Sequence, residues 1–287
     1  MKVFEIIKRV LDSEFLNIEA EDNAGRIDLV NQEILNLNAA YRELTDESAN
    51  PPNYRSPAAR FAYIYKYTTC HADIVCEALG QNNIVSLSRL FEGDDWLKVA
   101  CIGGGPGSDF IGVLKYLALS KIRKNLRCFL LDSEPAWGDT WSEVDEQAEG
   151  LEIRISTHYQ ELNVCEPDTW DKQTKYYGAD LYTLIYFLSE VYRRRNEAEN
   201  FFRNLVMNVK PGAVFLVVDN NSPDFVNYIS SLANEIGLKS LGRKEKTFVL
   251  GPDEQKSALG DYLDQLNHNP KCRTEIYFEY FEKPICD

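Results

Sequence analysis

The residues best placed to do chemistry lie in Val99-Ala100-Cys101-Ile102-Gly103-Gly104-Gly105-Pro106-Gly107-Ser108-Asp109. Gly103, Gly105 and Gly107 carry no Cβ, so the backbone here can turn sharply and lie flat against a ligand. A helical apolar spacing resumes at 110–119, and the first turn of such a helix points unpaired N–H groups toward the same place. The spacing is G-x-G-x-G. The dinucleotide fingerprint G-x-G-x-x-G needs glycine or alanine at 108, where this chain has Ser108. Taken alone, the run also fits a glycine-rich turn without a ligand. Three other features favour a ligand. A second apolar run, 126–131, ends on Asp132, an acid positioned to accept hydrogen bonds from ribose hydroxyls. The stretches 179–187 and 213–218 read as two further buried strands, each after a turn signal.

Those residues need a scaffold, and the rest of the chain reads as one. Alternating strand and helix patterns imply a mostly parallel sheet with helices on both faces. Strands are predicted at 98–103, 126–132, 151–156, 179–187, 213–219, 247–250 and 274–281. Helices are predicted at 108–121, 137–148, 190–208 and 223–236, with an insertion at 251–270. Residues 1–95 read instead as helical. Phe4, Ile7, Val10 and Leu11 repeat at helical spacing, as do Ile27, Val30, Ile34, Leu37 and Tyr41. Asn50-Pro51-Pro52-Asn53 breaks the chain, and Ser56-Pro57 supplies an N-cap followed by a first-turn proline.

The runs VACIGGGPGSD, LRCFLLDSE and GADLYTLIYFLSEVY resemble the class I S-adenosylmethionine-dependent methyltransferases across about residues 97–283. Within that superfamily, GGGPGSD, YFLSE and the preceding RFAYIYKY helix loosely resemble the family that includes the fungal large-subunit ribosomal RNA uridine-N3 methyltransferases. The resemblance implies an α/β, Rossmann-like, seven-stranded, mostly parallel sheet with an antiparallel last strand. It also implies two units, a helical N-terminal subdomain at 1–95 on the cap or substrate side and a cofactor domain at 96–287.

The same resemblance assigns roles. S-adenosylmethionine is the implied cofactor, approached by Gly103, Gly104, Gly105 and Gly107, with Asp132 on its ribose hydroxyls. Asp109 either receives the cofactor ammonium or favours the positive helix N-terminus. Asn163 either meets the adenine amino group or is a turn asparagine. Arg60, Tyr63 and Tyr67 belong to an aromatic-rich helix that is either plain core or a lid over the donor site. Tyr186, Ser189 and Glu190 stand where the fourth strand stops and face substrate. The D/N-P-P-Y motif of amine methyltransferases is absent there, so no catalytic base is assigned. Glu190 is the candidate, with a helix-dipole role as its alternative. Methyl transfer from a sulfonium needs in-line positioning and a deprotonated nucleophile more than a dedicated base.

Composition bounds the partners. The chain has 287 residues, is 44% hydrophobic, and carries a formal net charge of -14, which opposes a simple electrostatic grip on nucleic acid. Arg193-Arg194-Arg195 is the local exception, either a solvated helix face or an RNA phosphate contact. The acceptor therefore stays open among RNA, protein and small molecules. His158 reads as structural or as a base. Cys70, His71 and Cys76 fit no common zinc spacing, and no metal is expected. With no apolar run of membrane-spanning length and no secretory leader pattern, the expected product is soluble and intracellular, cytoplasmic or nuclear. Two functional alternatives remain: a non-catalytic S-adenosylmethionine-binding sensor or scaffold, and a nicotinamide-dependent oxidoreductase, against which Ser108 argues.

Overall fold

The apolar run at Leu97–Ile102 becomes β1, the centre of a twisted sheet. The computed structural model describes residues 1–46, 48, 51–81, 83–93, 96–147, 153–170 and 172–285. Around β1 lie β2 (Leu126–Asp132), β3 (Ile155–Glu161), β4 (Leu181–Ile185), β5 (Val214–Asn220), β6 (Lys239–Val249) and β7 (Arg273–Glu282). Their order is β3-β2-β1-β4-β5-β7-β6. The first five strands pair in parallel, and β7 runs antiparallel to both β5 and β6. This is a Rossmann-like α/β fold. Strand order reverses between β1 and β4, and ligands in open α/β sheets bind beyond the strand ends at such a switch point.

Both faces of β1 are buried because both are covered. Val99 and Cys101 enter one core, and Ala100 enters the other. Alternation along a strand sends successive side chains to opposite faces, so a doubly covered strand must be apolar throughout. The first core also contains the N-terminal helices Val3–Leu16 and Asn23–Arg42 and the helical run Pro57–Tyr63, Ile64–Thr68 and Thr69–Leu79. Ser56 caps this run by accepting the Ala59 N–H at 3.0 Å, with Pro57 in its first turn. The Ile64–Thr68 stretch is a π-helical turn, a feature often found at functional sites.

Helix Thr69–Leu79 packs tightly on helix Ser108–Leu119. A Cβ at Gly112 would lie 2.5 Å from the Ala72 carbonyl oxygen, so only glycine permits this approach. Beside that contact, the Lys115 ammonium is buried against Asp73 and Glu254, both at 2.7 Å. Glu254 also accepts the N–H groups of Val3 and Phe4 at the start of the first helix. The cluster ties the 251–270 insertion to the first helix and to the sheet's own helical layer. A buried charge of this kind persists because every partner is hydrogen-bonded.

Four sequence expectations move. The third strand lies at Ile155–Glu161 rather than 151–156, and residues 148, 151 and 152 lie outside the described residues. It is an edge strand, and its ISTHYQE sequence carries little apolar signal. The fourth strand stops at Ile185, because Tyr186 turns to φ 57° and a short helix, Phe187–Val191, begins. The helix expected at 190–208 is split by a tight turn at Tyr192–Arg194 and resumes at Arg195–Asn208. The sixth strand extends back to Lys239, because an edge strand can be as charged as GRKEK without burying those residues.

Candidate active site

The glycine loop leaves β1 with its backbone pinned to β2: Gly103 N–H donates to the Leu131 carbonyl at 2.8 Å and Gly104 N–H to the same oxygen at 3.2 Å. This fixes Asp132, the next residue of β2, beside the loop. One Asp132 oxygen accepts the Gly105 N–H at 2.9 Å, and the other accepts the Glu134 N–H at 3.0 Å. Each carboxylate oxygen has a further lone pair for a ligand hydroxyl.

Asp132, Gly103 and Gly105 line a hollow of ≈ 280 Å³ together with Tyr54, Tyr63, Trp137, Ile185, Tyr186, Phe187 and Glu190. The glycines play different parts. A Cβ on Gly103 would fall 2.0 Å from the Phe187 ring, and one on Gly107 would fall 2.2 Å from Trp141. Both make room for aromatic side chains, so Gly107 serves packing rather than the hollow. Gly104 sits over Cys101 and Leu130. Gly105 is the open one: its φ is +47°, and the nearest atom to an added Cβ is on Trp137 at 3.8 Å.

Two carboxyl groups face this space, and its lining holds no lysine, arginine or histidine. Burial pushes Asp132 up to about 6, against the lowering effect of the two N–H groups it accepts. Burial likewise pushes Glu190 up to about 7, opposed by its tyrosine donors and reinforced by the Asp132 charge. Such paired, desolvated acids are common at functional sites.

Glu190 holds the roof. Its Oε1 accepts the hydroxyls of Tyr41 at 2.9 Å and Tyr54 at 3.1 Å, and those hydroxyls also bond to each other. Burial, then the Glu190 charge, raises both phenols well above their ordinary value, so both remain donors. Tyr54 leans on Trp137 with ring centroids 5.5 Å apart and on Tyr63 edge-on at 5.3 Å. Arg60 does not line the hollow. It is buried below the roof and donates to the carbonyls of Tyr54 and Arg55 at 3.1 and 2.8 Å, positioning Tyr54.

A second cavity of ≈ 380 Å³ adjoins the first across Tyr186. It is lined by Tyr41, Tyr67, His71, Tyr186, Ser189, Asn220 and Lys271. Tyr186 shapes both from a left-handed backbone at φ 57°, a conformation costly for a bulky residue and concentrated at functional sites. Asp219, fully buried at the end of β5, accepts the Ser189 N–H and the Asn220 N–H and braces the short helix that carries Glu190.

Two residues with proposed ligand roles, and the arginine run, lie elsewhere. Asp109 is buried behind the glycine loop, where it accepts the Thr183 hydroxyl at 2.6 Å; burial pushes it up to about 7. Asn163 makes the turn after β3: its Oδ1 accepts the Cys165 N–H at 3.0 Å and its Nδ2 donates to Glu166 at 2.8 Å. Its side chain therefore closes a local turn away from the hollow. The arginine run is engaged internally. Arg193 donates to the carbonyls of Glu43 and Leu44, Arg194 to Glu197, and Arg195 to the carbonyl of Tyr192.

His158 is exposed on the edge strand and stacks on Phe129. Among the described residues, no group of three His, Cys, Asp or Glu side chains is placed to hold a metal ion. Among the described residues, no helix is long and apolar enough to cross a membrane. Sequence reading missed Tyr41, Tyr54, His71, Trp137, Asp219 and Lys271. Asp219 alone left a trace, as an acid at the tip of an apolar strand. The others come from elements whose convergence no local pattern records.

No family model matches the chain, and no curated protein matches it in sequence. Solved structures do. The CurJ carbon methyltransferase superposes with TM-score 0.50 at 9% identity, over 90% of this chain and 67% of that one. A protein described as a class I S-adenosylmethionine-dependent methyltransferase from Listeria monocytogenes gives 0.49 at 11% identity, over 99% and 88%. The precorrin-6y C5,15-methyltransferase from Geobacter metallireducens gives 0.43 at 14% identity, over 70% and 87%. At identities of this size the likeness is one of fold, and function must be argued from the site.

Proposed function

We propose that this chain is an S-adenosylmethionine-dependent methyltransferase whose cofactor enters the hollow between Gly105 and Asp132. One observation carries the reading: the hollow sits at the strand-order reversal, presents two carboxyls, and has no basic side chain in its lining. A sulfonium that also bears an ammonium group is electrostatically matched to that lining. A dinucleotide pyrophosphate is repelled by it, which disfavours the nicotinamide alternative.

The roles follow from placement. Asp132, with lone pairs left beyond its two backbone contacts, accepts the ribose hydroxyls. Gly105 lets the cofactor lie against the loop. Glu190 and Asp132 balance its positive charge. When bound, the cofactor supplies an activated methyl group for in-line displacement. The roof of Tyr54, Tyr63 and Trp137 excludes water from the reacting centre. Tyr54 and Glu190 close the hollow over, so it admits the cofactor only once Tyr54 swings away from Glu190. Residues 1–95, which supply both roof tyrosines, are in this reading a cap on the cofactor unit at 96–287.

The adjoining cavity favours transfer over a purely sensing role, since a sensor has no use for a second subsite. RNA is the less supported acceptor. The three arginines at 193–195 are held by carbonyls and Glu197, and the formal net charge is -14. The test is incubation of the purified chain with methyl-labelled S-adenosylmethionine and separate RNA, protein and small-molecule fractions, read by mass spectrometry. Label in one fraction supports the proposal. Cofactor binding without label in any fraction supports the sensor instead.

A further inference from the structure

The cavity beside the acidic hollow has the opposite electrostatic character. Its walls are aromatic, and His71 stacks on Tyr186 with centroids 4.4 Å apart and planes at 18°. Burial lowers the imidazole well below its ordinary value, so His71 is neutral; burial also lowers Lys271, which is the basic amine of the lining. The Lys271 ammonium lies 5.1 Å from the Tyr186 ring centroid and 5.8 Å from that of Tyr67. Among the described residues it makes no ion pair. Asp219, the nearby acid, accepts the N–H groups of Ser189 and Asn220 and acts on Lys271 only at a distance. The Lys271 backbone is pinned to the roof helix, its N–H donating to the Lys66 carbonyl at 2.8 Å. A half-buried cation set over two ring faces, with the Asp219 carboxylate beyond ion-pair distance, can take an anion.

We propose that this cavity is the methyl-acceptor subsite and that it takes a small planar oxyanion, an aromatic carboxylate or phenolate, with its ring among Tyr41, Tyr67 and Tyr186 and its charge on Lys271. The inference rests on the methyltransferase reading. The two cavities then hold opposite charges on either side of Tyr186: the donor cation beside Asp132 and Glu190, the acceptor anion beside Lys271. An oxygen lone pair of the acceptor forms the new O–CH3 bond as the C–S bond breaks, and that electron pair stays on sulfur. Sulfonium becomes neutral thioether, and the oxyanion becomes a neutral ester or ether. No proton moves, which explains a site without an assigned base.

Benzoate and its neutral isostere benzamide are titrated calorimetrically into the full chain, with and without S-adenosylhomocysteine. The expected result is at least tenfold tighter binding of benzoate. Lys271→Gln abolishes that preference, and Lys271→Arg keeps part of it. Equal binding of the two probes by the unmodified chain overturns the proposal without recourse to any variant. So does a preference unchanged in Lys271→Gln, or displacement of benzoate by polyuridylate RNA. If S-adenosylhomocysteine fails to bind while the benzoate preference stands, the anion site survives and its acceptor role falls with the methyltransferase reading. If S-adenosylhomocysteine binds and the preference is absent, only the acceptor assignment falls.

Discussion

Tyr54 and Glu190 are 136 residues apart in sequence, yet the Tyr54 hydroxyl donates to the Glu190 carboxylate at 3.1 Å. This contact joins the N-terminal helical segment to the short helix after β4 and closes the hollow beside Gly105. A ligand bearing positive charge competes with the two tyrosines for the same carboxylate. The roof is therefore held by a group that the proposed cofactor also needs.

Weakening that latch should speed entry. Tyr54→Phe keeps the ring packed on Trp137 and Tyr63 but removes the donor to Glu190. One neutral-to-charged hydrogen bond contributes about 1.5–3 kcal/mol at most, so the association rate of S-adenosylhomocysteine is expected to rise on the order of tenfold. Stopped-flow quenching of the Trp137 fluorescence reads it. An unchanged rate would show that the roof does not gate the hollow.

The buried acids set a pH dependence with a definite sign. Glu190 is raised from 4.5 to about 7, Asp109 from 3.8 to about 7, and Asp132 from 3.8 to about 6, each chiefly by burial. A folded-state pKa above the unfolded one means the folded state holds its proton more tightly. The resulting stability is fully present below about pH 4 and is lost as pH rises through 6 and 7. The ligand-free Tm should therefore fall between pH 5 and pH 8. Glu190→Gln should flatten that fall by on the order of 2 °C. Scanning calorimetry across the range checks it, and S-adenosylmethionine should raise the Tm more at pH 8 than at pH 5. A Tm that climbs over this interval in both proteins would contradict the assignment of these groups as uncompensated acids.

The loop glycines should separate into two kinds. Gly103→Ala forces a methyl to within 2.0 Å of Phe187 at φ +66° and is expected to cost about 3 kcal/mol of stability. Gly105→Ala meets nothing closer than 3.8 Å and carries only the left-handed backbone cost, about 1–2 kcal/mol. Its larger effect should fall on cofactor affinity. Urea unfolding and calorimetry, run on both variants, distinguish the two. Equal stability losses would mean that Gly105 is as tightly packed as Gly103.

Much of the frame was readable in the sequence because it depends on local pattern. The runs around Val99, Cys128 and Val217 are apolar on both faces, as strands buried on both sides must be, and Asp132 falls at the tip of one of them. The second cavity was not readable. His71, Lys271 and Tyr41 come from three distant stretches, and each looks ordinary in its own window. Asn163 left two readings open for a related reason: an amide after a strand end serves a turn as well as a ligand, and its bonds to Cys165 and Glu166 are those of a turn. Gly107 stands apart for a different reason, since a missing Cβ makes room for a neighbouring aromatic ring as readily as for a cofactor.

Calorimetric titration of S-adenosylmethionine into the unmodified chain and into Asp132→Ala is the most direct measurement. The account predicts saturable one-to-one binding that weakens in the variant by about 1–3 kcal/mol, the scale of hydrogen bonds to a charged group. Affinity unchanged by the loss of the Asp132 carboxylate, or tight binding of NAD with none of S-adenosylmethionine, would contradict it.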